Sequence, residues 1–324
     1  MVLIVTVNPL LEQRLQFDKI ESGKVNRSNH LTYKAGGKGI NVGRQLNLLG
    51  ISNTSLTFNG GHNGKIFRKA VSEEKINCVF ITTKEDVRSA SLIIEKDKNR
   101  ITSYFGPDTF LSVAEISEFK NKLDKMIQNS SLVVFSGSSP SEEAGSIFTH
   151  GIELAGKYDK FVLLDTYGSH LQECLNLHPT CIHNNISEIE NSLKINLKDE
   201  KDKIDFLNYL YGKGIKLSFL TDGDNPSFAA NFDFHYKITN PVITEIDATR
   251  SGDAFVAGLI YGFDKNLIFE ETCRIASALG IANAAGWDVC NVSKNEMNFY
   301  LQDVKINSLG KKIKIIDDSP TNIS

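Results

Sequence analysis

Ser131-Leu132-Val133-Val134-Phe135-Ser136-Gly137-Ser138-Ser139-Pro140 is a short apolar, β-branched run that stops abruptly in a polar, small-residue turn. Such a run, apolar on both faces, suits a buried strand of a parallel sheet. The figure repeats downstream. Residues 160–164 lead into Asp165-Thr166-Tyr167-Gly168, residues 180–183 into Asn184-Asn185-Ile186-Ser187-Glu188, and residues 217–220 into Thr221-Asp222-Gly223-Asp224. In a parallel sheet, right-handed crossovers bring all such turns to the carboxyl edge, where ligands bind. The rhythm therefore predicts an α/β fold and one site assembled from clusters far apart in sequence.

Upstream, residues 2–7 read as another central strand, closed by the turn signal Asn8-Pro9. Residues 10–34 differ: short alternating segments separated by polar turns, as in a small one-sided sheet. Residues 87–105 alternate in the same way around Asp97-Lys98-Asn99 and read as a hairpin that joins this sheet. Between them lie a strand at 54–58, a helix at about 63–75 and a strand at 78–82. Ser112 and Glu115 form a capping-box pattern before Ile116, Phe119, Leu123 and Ile127 at helical spacing. Downstream, residues 228–230 and 236–238 suit an antiparallel edge, and a small-residue helix covers about 270–286. The lysine-rich tail beyond about residue 304 reads as a surface strand or a partly disordered segment. Residues 1–324 are expected to form a single domain.

Composition narrows the function. With 41% hydrophobic and 23% charged residues, the 324-residue chain suits a soluble globular protein. A net charge of −3 gives no basic footprint for nucleic acid. No apolar run is long enough to cross a membrane, and the N-terminus lacks the pattern of a signal peptide. The five cysteines are scattered without CxxC spacing, which points to reduced thiols of a cytoplasmic protein.

Two further stretches carry chemistry. Ala35-Gly36-Gly37-Lys38-Gly39-Ile40-Asn41-Val42-Gly43-Arg44 sets one lysine among glycines and then enters a helix. Glycines let backbone approach a ligand closely, and Lys38 supplies a cation; a tight turn with a solvated lysine is the plain alternative. Residues 245–259 run from a polar turn through Arg250-Ser251-Gly252-Asp253 into an apolar helix. Free amides of Ser251, Gly252 and Asp253 at such a terminus would bind an anion, with Asp253 beside it; a simple N-cap is the plain alternative.

Together, Gly36-Gly37-Lys38-Gly39-Ile40-Asn41-Val42 and Ser251-Gly252-Asp253-Ala254-Phe255 resemble the PfkB/ribokinase family of sugar kinases. Thr6-Val7-Asn8-Pro9, Ser136-Gly137-Ser138 and Asn185-x-x-Glu188 resemble the branch holding tagatose-6-phosphate kinase and 1-phosphofructokinase. The resemblance implies a three-layer α/β/α sandwich with a mostly parallel sheet and a small β-lid formed by about 10–34 and 87–105. It implies ATP- and Mg²⁺-dependent phosphorylation of a hydroxyl of a phosphorylated ketohexose. The small sheet has exposed edges and one face that must be covered, and a homodimer pairing two lids would do both. Asp253 is then the general base, with Arg250, Ser251 and Gly252 around the anion hole. Lys38, Arg88 and Ser138 hold the substrate phosphate, while Glu12, Gly37 and Asn41 contact the sugar. Asn185 and Glu188 position Mg²⁺ through water, Thr221, Gly223 and Gly252 follow the triphosphate, and Asn283 lies near the adenine.

Four positions depart from the family pattern. Arg250 stands for Gly, Glu12 for Asp, His183 for Lys, and Pro226 for a Gly common in the nucleotide turn. These departures admit another reading, a sugar-phosphate or nucleotide sensor with impaired catalysis. A kinase for an unphosphorylated sugar or nucleoside is a separate alternative, against which Lys38 and Arg88 argue.

Overall fold

The computed structural model describes residues 1–310. In chain order the elements are β1 (Val2–Thr6), β2 (Leu10–Phe17), β3 (His30–Gly36), α1 (Lys38–Leu49), β4 (Asn53–Gly60), α2 (Gly61–Glu73), β5 (Cys78–Thr83), β6 (Ser89–Glu95) and β7 (Arg100–Phe105). They continue with α3 (Val113–Gln128), β8 (Leu132–Gly137), α4 (Glu142–Lys157), β9 (Phe161–Thr166), α5 (Leu171–Asn176), β10 (Cys181–Asn185), α6 (Ile186–Leu193), α7 (Glu200–Gly212) and β11 (Leu217–Thr221). The last are β12 (Ser227–Asn231), β13 (Phe234–Thr239), α8 (Ser251–Asp264), α9 (Phe269–Ala284), α10 (Lys294–Leu301) and β14 (Lys305–Ser308).

Ten strands form one sheet in the order β14-β13-β12-β11-β10-β9-β8-β1-β4-β5. From β5 to β11 every pair is parallel; β12, β13 and β14 are antiparallel. The buried strands have apolar side chains on both faces. Leu3 and Val5 of β1 pack into one core with α3, α4 and α7, while Val2 and Ile4 pack into the other with α1, α8 and α9. Helices on both faces of a parallel sheet make the α/β/α sandwich, because each face must be covered. The tail strand pairs with β13 as β14; the rest of the tail, 311–324, lies outside the described residues.

A second sheet of four strands, in the order β3-β2-β6-β7, stands beside the first. β2 pairs antiparallel with β3 and parallel with β6. Register puts Glu12, Lys34 and Ala90 in one row, and Tyr33, Gln13, Ser91 and Tyr104 in the next, on the opposite face. Arg88 lies just before β6, not on a strand.

Two helix starts place the chemistry. Gly37 is the N-cap of α1 with φ 108, a conformation that side chains rarely adopt, so a glycine is needed where the chain leaves β3. The N-cap of α8 is Arg250 at φ 71, left-handed despite its side chain. Strain held at such a residue is a pointer to function. Along α8, a Cβ on Gly258 would sit 2.5 Å from the Cα of Ala276, so α8 and α9 cross in close backbone contact.

Candidate active site

The carboxyl ends of β10 and β11 face the N-terminus of α8 across a cavity of about 530 Å³, and Ser136 and Asp165 at the ends of β8 and β9 join this edge through hydrogen bonds to each other and to His183. Lys38, His183, Asn185, Glu188, Thr221 and Gly223 line one side, and Arg250, Ser251, Gly252 and Asp253 the floor. Ile243, Ile281 and Ala284 add an apolar wall. The polar clusters expected to meet at one edge do meet there.

Asp253 is buried at 1% exposure. Its Oδ2 accepts from Asn41 Nδ2 at 2.8 Å, while its Oδ1 has no partner among the described residues. Burial pushes this carboxyl up to about 7, against the pull of Lys38 and with the push of Asp165. A carboxylate near neutrality with one free oxygen is suited to accept a proton. Asn41 is itself held: Arg44 Nη1 donates to Asn41 Oδ1 at 2.7 Å, which fixes the amide with its NH₂ toward Asp253. Arg44 in turn is gripped by Glu74 and by the carbonyl of Ala35.

Lys38 is placed differently from the expectation that it shares one phosphate with Arg88. Its Nζ lies 3.1 Å from Asp165 Oδ1 and 2.8 Å from Glu188 Oε1. Burial alone would lower its pKa, but Asp165, Glu188 and Asp253 outweigh burial and hold it above the ordinary lysine value. Asp165 and Glu188 together hold the ammonium at the wall of the cavity. Arg88 has other partners, with Nη1 3.0 Å from Asp108 Oδ1 and further donors on the carbonyls of Asn8 and Pro9. Asn8 Nδ2 bridges Asp108 Oδ1 at 2.9 Å and Ser138 Oγ at 3.2 Å, so Arg88, Asn8, Asp108 and Ser138 form their own polar corner.

Asp165, fully buried, joins three strands' ends. It accepts from Ser136 Oγ at 2.6 Å and faces His183 Nδ1 at 3.0 Å. Burial would raise its pKa, yet Lys38 and the His183 hydrogen bond hold it below the ordinary value. His183 Nε2 lies 3.2 Å from Thr221 Oγ1, and its ring stacks on Phe255. The position where the family pattern has a lysine is therefore an imidazole fixed between Asp165 and Thr221.

Three expectations need correction. The trio of free amides shrinks: Ser251 N–H donates to the carbonyl of Ala248 at 3.1 Å and Asp253 N–H to that of Arg250 at 3.0 Å. The left-handed turn at Arg250 curls the chain so that these short bonds form; among the described residues Gly252 N–H has no backbone acceptor. Glu12 is not a free carboxylate: it is 1% exposed and ion-paired at 2.9 Å with Arg250 Nη2. Asn283 does not line the cavity; its amide donates to Ser251 Oγ at 3.2 Å and accepts from Cys290 N–H at 2.7 Å, between the helices.

Asn185 and Glu188 form a capping box on α6, with Asn185 Oδ1 accepting from Ser187 N–H at 2.8 Å. Among the described residues no three His, Cys, Asp or Glu side chains could cage a metal. Of the carboxylates that line the cavity, Glu188, Asp224, Glu245 and Asp253, no three come together, which fits a largely hydrated Mg²⁺ carried in with phosphates and not a caged resident metal. The roles of Asp165, Arg44 and Asp108 were not foreseen. Asp165 opens one of the polar turns and Arg44 ends the glycine motif, so both carried a signal; Asp108 carried none.

Residues 7–286 match the pfkB family carbohydrate kinase profile. A 1-phosphofructokinase of Borreliella burgdorferi is 29% identical over 294 residues, covering 90% of this chain and 94% of the relative. A tagatose-6-phosphate kinase of Staphylococcus epidermidis is 26% identical over 309 residues, covering 94% and 99%. The phosphofructokinase-2 structure from Escherichia coli superposes with a TM-score of 0.85 at 19% identity, covering 93% of this chain and 98% of that one, a likeness of fold. Among the described residues no helix is long and apolar enough to cross a membrane.

Proposed function

This chain belongs to the pfkB family of carbohydrate kinases, and we propose that it transfers the γ-phosphoryl group of ATP to a hydroxyl of a ketohexose phosphate, tagatose 6-phosphate or fructose 1- or 6-phosphate. The observation that carries this reading is Asp253: a buried cavity-lining carboxyl with a pKa of about 7, Oδ2 held by Asn41 and Oδ1 without a hydrogen-bond partner among the described residues. Asp253 Oδ1 takes the proton of the attacking hydroxyl as its oxygen bonds to the γ-phosphorus and the bond to the β-bridging oxygen breaks, releasing ADP. The free Gly252 amide and the N-terminus of α8 stabilise charge on the migrating group, as phosphoryl transfer depends on positioning and electrostatics. Lys38, tied to Asp165 and Glu188, stands on the phosphate side. Thr221 and Gly223 follow the triphosphate, and Ile243, Ile281 and Ala284 suit the adenine face. Mg²⁺ would enter with ATP, near Glu188 and Asn185, and neutralise phosphate charge.

The polar corner of Arg88 and Ser138 suits the phosphate the sugar already carries, since Arg offers a bidentate grip. An unphosphorylated sugar would bring no second anion to that arginine, leaving it with Asp108 alone. ADP release is measured with a panel of phosphosugars and their unphosphorylated forms. Turnover confined to a phosphoketose supports the reading; turnover only with free sugars, or none, removes it.

The four-stranded sheet acts as a lid over the sugar and as a dimer face. Tyr33 and Tyr104 share a row on its outer face, 40% and 63% exposed, with Leu31 on the same face at 47%. A large apolar patch on an outward sheet face suits a second copy of itself. Sedimentation at micromolar concentration should give a dimer, and Tyr33→Glu a monomer; a monomeric parent protein rejects it.

A further inference from the structure

Two departures from the family pattern are each other's partner. Arg250 Nη2 lies 2.9 Å from Glu12 Oε1, although the residues come from β2 and from the cap of α8. Both side chains are buried, at 9% and 2% exposure. The approach is an ion pair off the line of a straight hydrogen bond, so Glu12 Oε1 carries no hydrogen bond among the described residues. Arg14 Nε stands 3.6 Å from the other oxygen, Glu12 Oε2. The glutamate reaches this position because β3 has no side chain at Gly36, where a Cβ would sit 2.8 Å from Glu12 Oε1.

Arg250 Nη1 is also buried and has no partner among the described residues. The residue lines the cavity beside Ser251, Gly252 and Asp253, and its charge acts on Asp253. An arginine is not put at a left-handed position for backbone reasons, since glycine is easier there. Two of the three amides at this helix start are already bonded within their own turn. His183, where the family pattern has a lysine, is held by Asp165. A buried guanidinium with an unused fork is thus the added positive group at the end of the cavity where charge moves.

We propose that Arg250 is a catalytic cation for the transferred phosphoryl group and that Glu12 is its positioning residue, the two acting as one unit. Glu12 holds Nη2 and leaves Nη1 to meet the phosphoryl oxygens. The carboxylate at position 12 has then passed from sugar binding to holding the arginine. This rests on the kinase reading above, with Asp253 as base.

The test uses the full chain with MgATP and fructose 1-phosphate, fructose 6-phosphate or tagatose 6-phosphate. Turnover by the parent protein checks the kinase reading by itself. Arg250→Gly, an easy residue at that backbone position, should lower kcat about 100-fold with both KM values within about threefold. Added guanidinium ion should restore part of that kcat. Glu12→Gln should lower kcat about tenfold in the parent background and hardly at all in Arg250→Gly, as coupled residues do. Arg250→Lys, which keeps the charge and the fold, should fall between. If Arg250→Gly keeps kcat and raises only the sugar KM, Arg250 is a sugar contact and the proposal fails. If the Glu12 and Arg250 effects multiply independently, the two are not a unit. An active parent with either result overturns the pair while leaving the kinase reading standing.

Discussion

Asn41 and Asp253 stand 212 residues apart in the chain, and Asn41 Nδ2 donates to Asp253 Oδ2 at 2.8 Å. The bond selects which carboxylate oxygen is free, and Arg44 selects which end of the Asn41 amide makes it. A hydrogen bond to the charged form favours that form, so this contact lowers the Asp253 pKa against the larger effect of burial. With the folded value at about 7, kcat/KM should rise with pH through about 7 and fall below it as the base is protonated. Arg44→Met frees the Asn41 amide to turn. The acid limb should then move to higher pH, while KM for ATP stays within about threefold. A pH profile with an unmoved limb would separate Arg44 from the base.

Burial of Asp253 has a stability consequence of definite sign. The folded value of about 7 is raised above the ordinary 3.8, so the neutral form is favoured in the fold. The associated stability is fully present below about pH 4 and is lost as pH rises toward 7. Asp253→Asn is neutral throughout. Its thermal midpoint should exceed that of the parent at pH 8, and the gap should narrow steadily between pH 7 and pH 4. Thermal melts across that range check this; a gap that widens toward low pH would contradict the sign.

Arg88 makes its ion pair with Asp108 at 3.0 Å and donates to the carbonyls of Asn8 and Pro9. Arg88→Ala removes the bidentate donor and should raise KM for the phosphosugar by about tenfold to a hundredfold, the range of a charge-assisted contact of 1.5–3 kcal/mol. KM for ATP should change little. Equal rises in both constants would mean that Arg88 shapes the cleft as a whole and does not grip the phosphate.

The fold was legible because its signals are local. Each apolar run from 131 onward ends in a polar turn, and the turns meet at the carboxyl edge of β8 to β11. The glycine motif and the segment at Asp253 were readable for the same reason. The destination of long side chains was not. Lys38 is drawn to Asp165 and Glu188, which come from β9 and α6, 127 and 150 residues further along. The Glu12–Arg250 pair crosses between two sheets' worth of chain, so neither departure announced the other. The family resemblance alone places Asn283 near a nucleotide, and its amide instead bonds Ser251 and Cys290. Hydrogen bonding within the first turn of α8 depends on the φ of one residue, Arg250, and no sequence pattern prints a dihedral angle.

Turnover by Asp253→Asn tests the role of this carboxylate most directly. The substitution keeps shape and the bond to Asn41 within reach but cannot take a proton. With saturating MgATP and the phosphosugar that supports ADP release by the parent, kcat should fall by about 100-fold to 10,000-fold, the range of general-base catalysis. Binding of ATP, followed by calorimetry, should stay within about threefold. A variant that turns over within about twofold of the parent would contradict the assignment of Asp253 as the base.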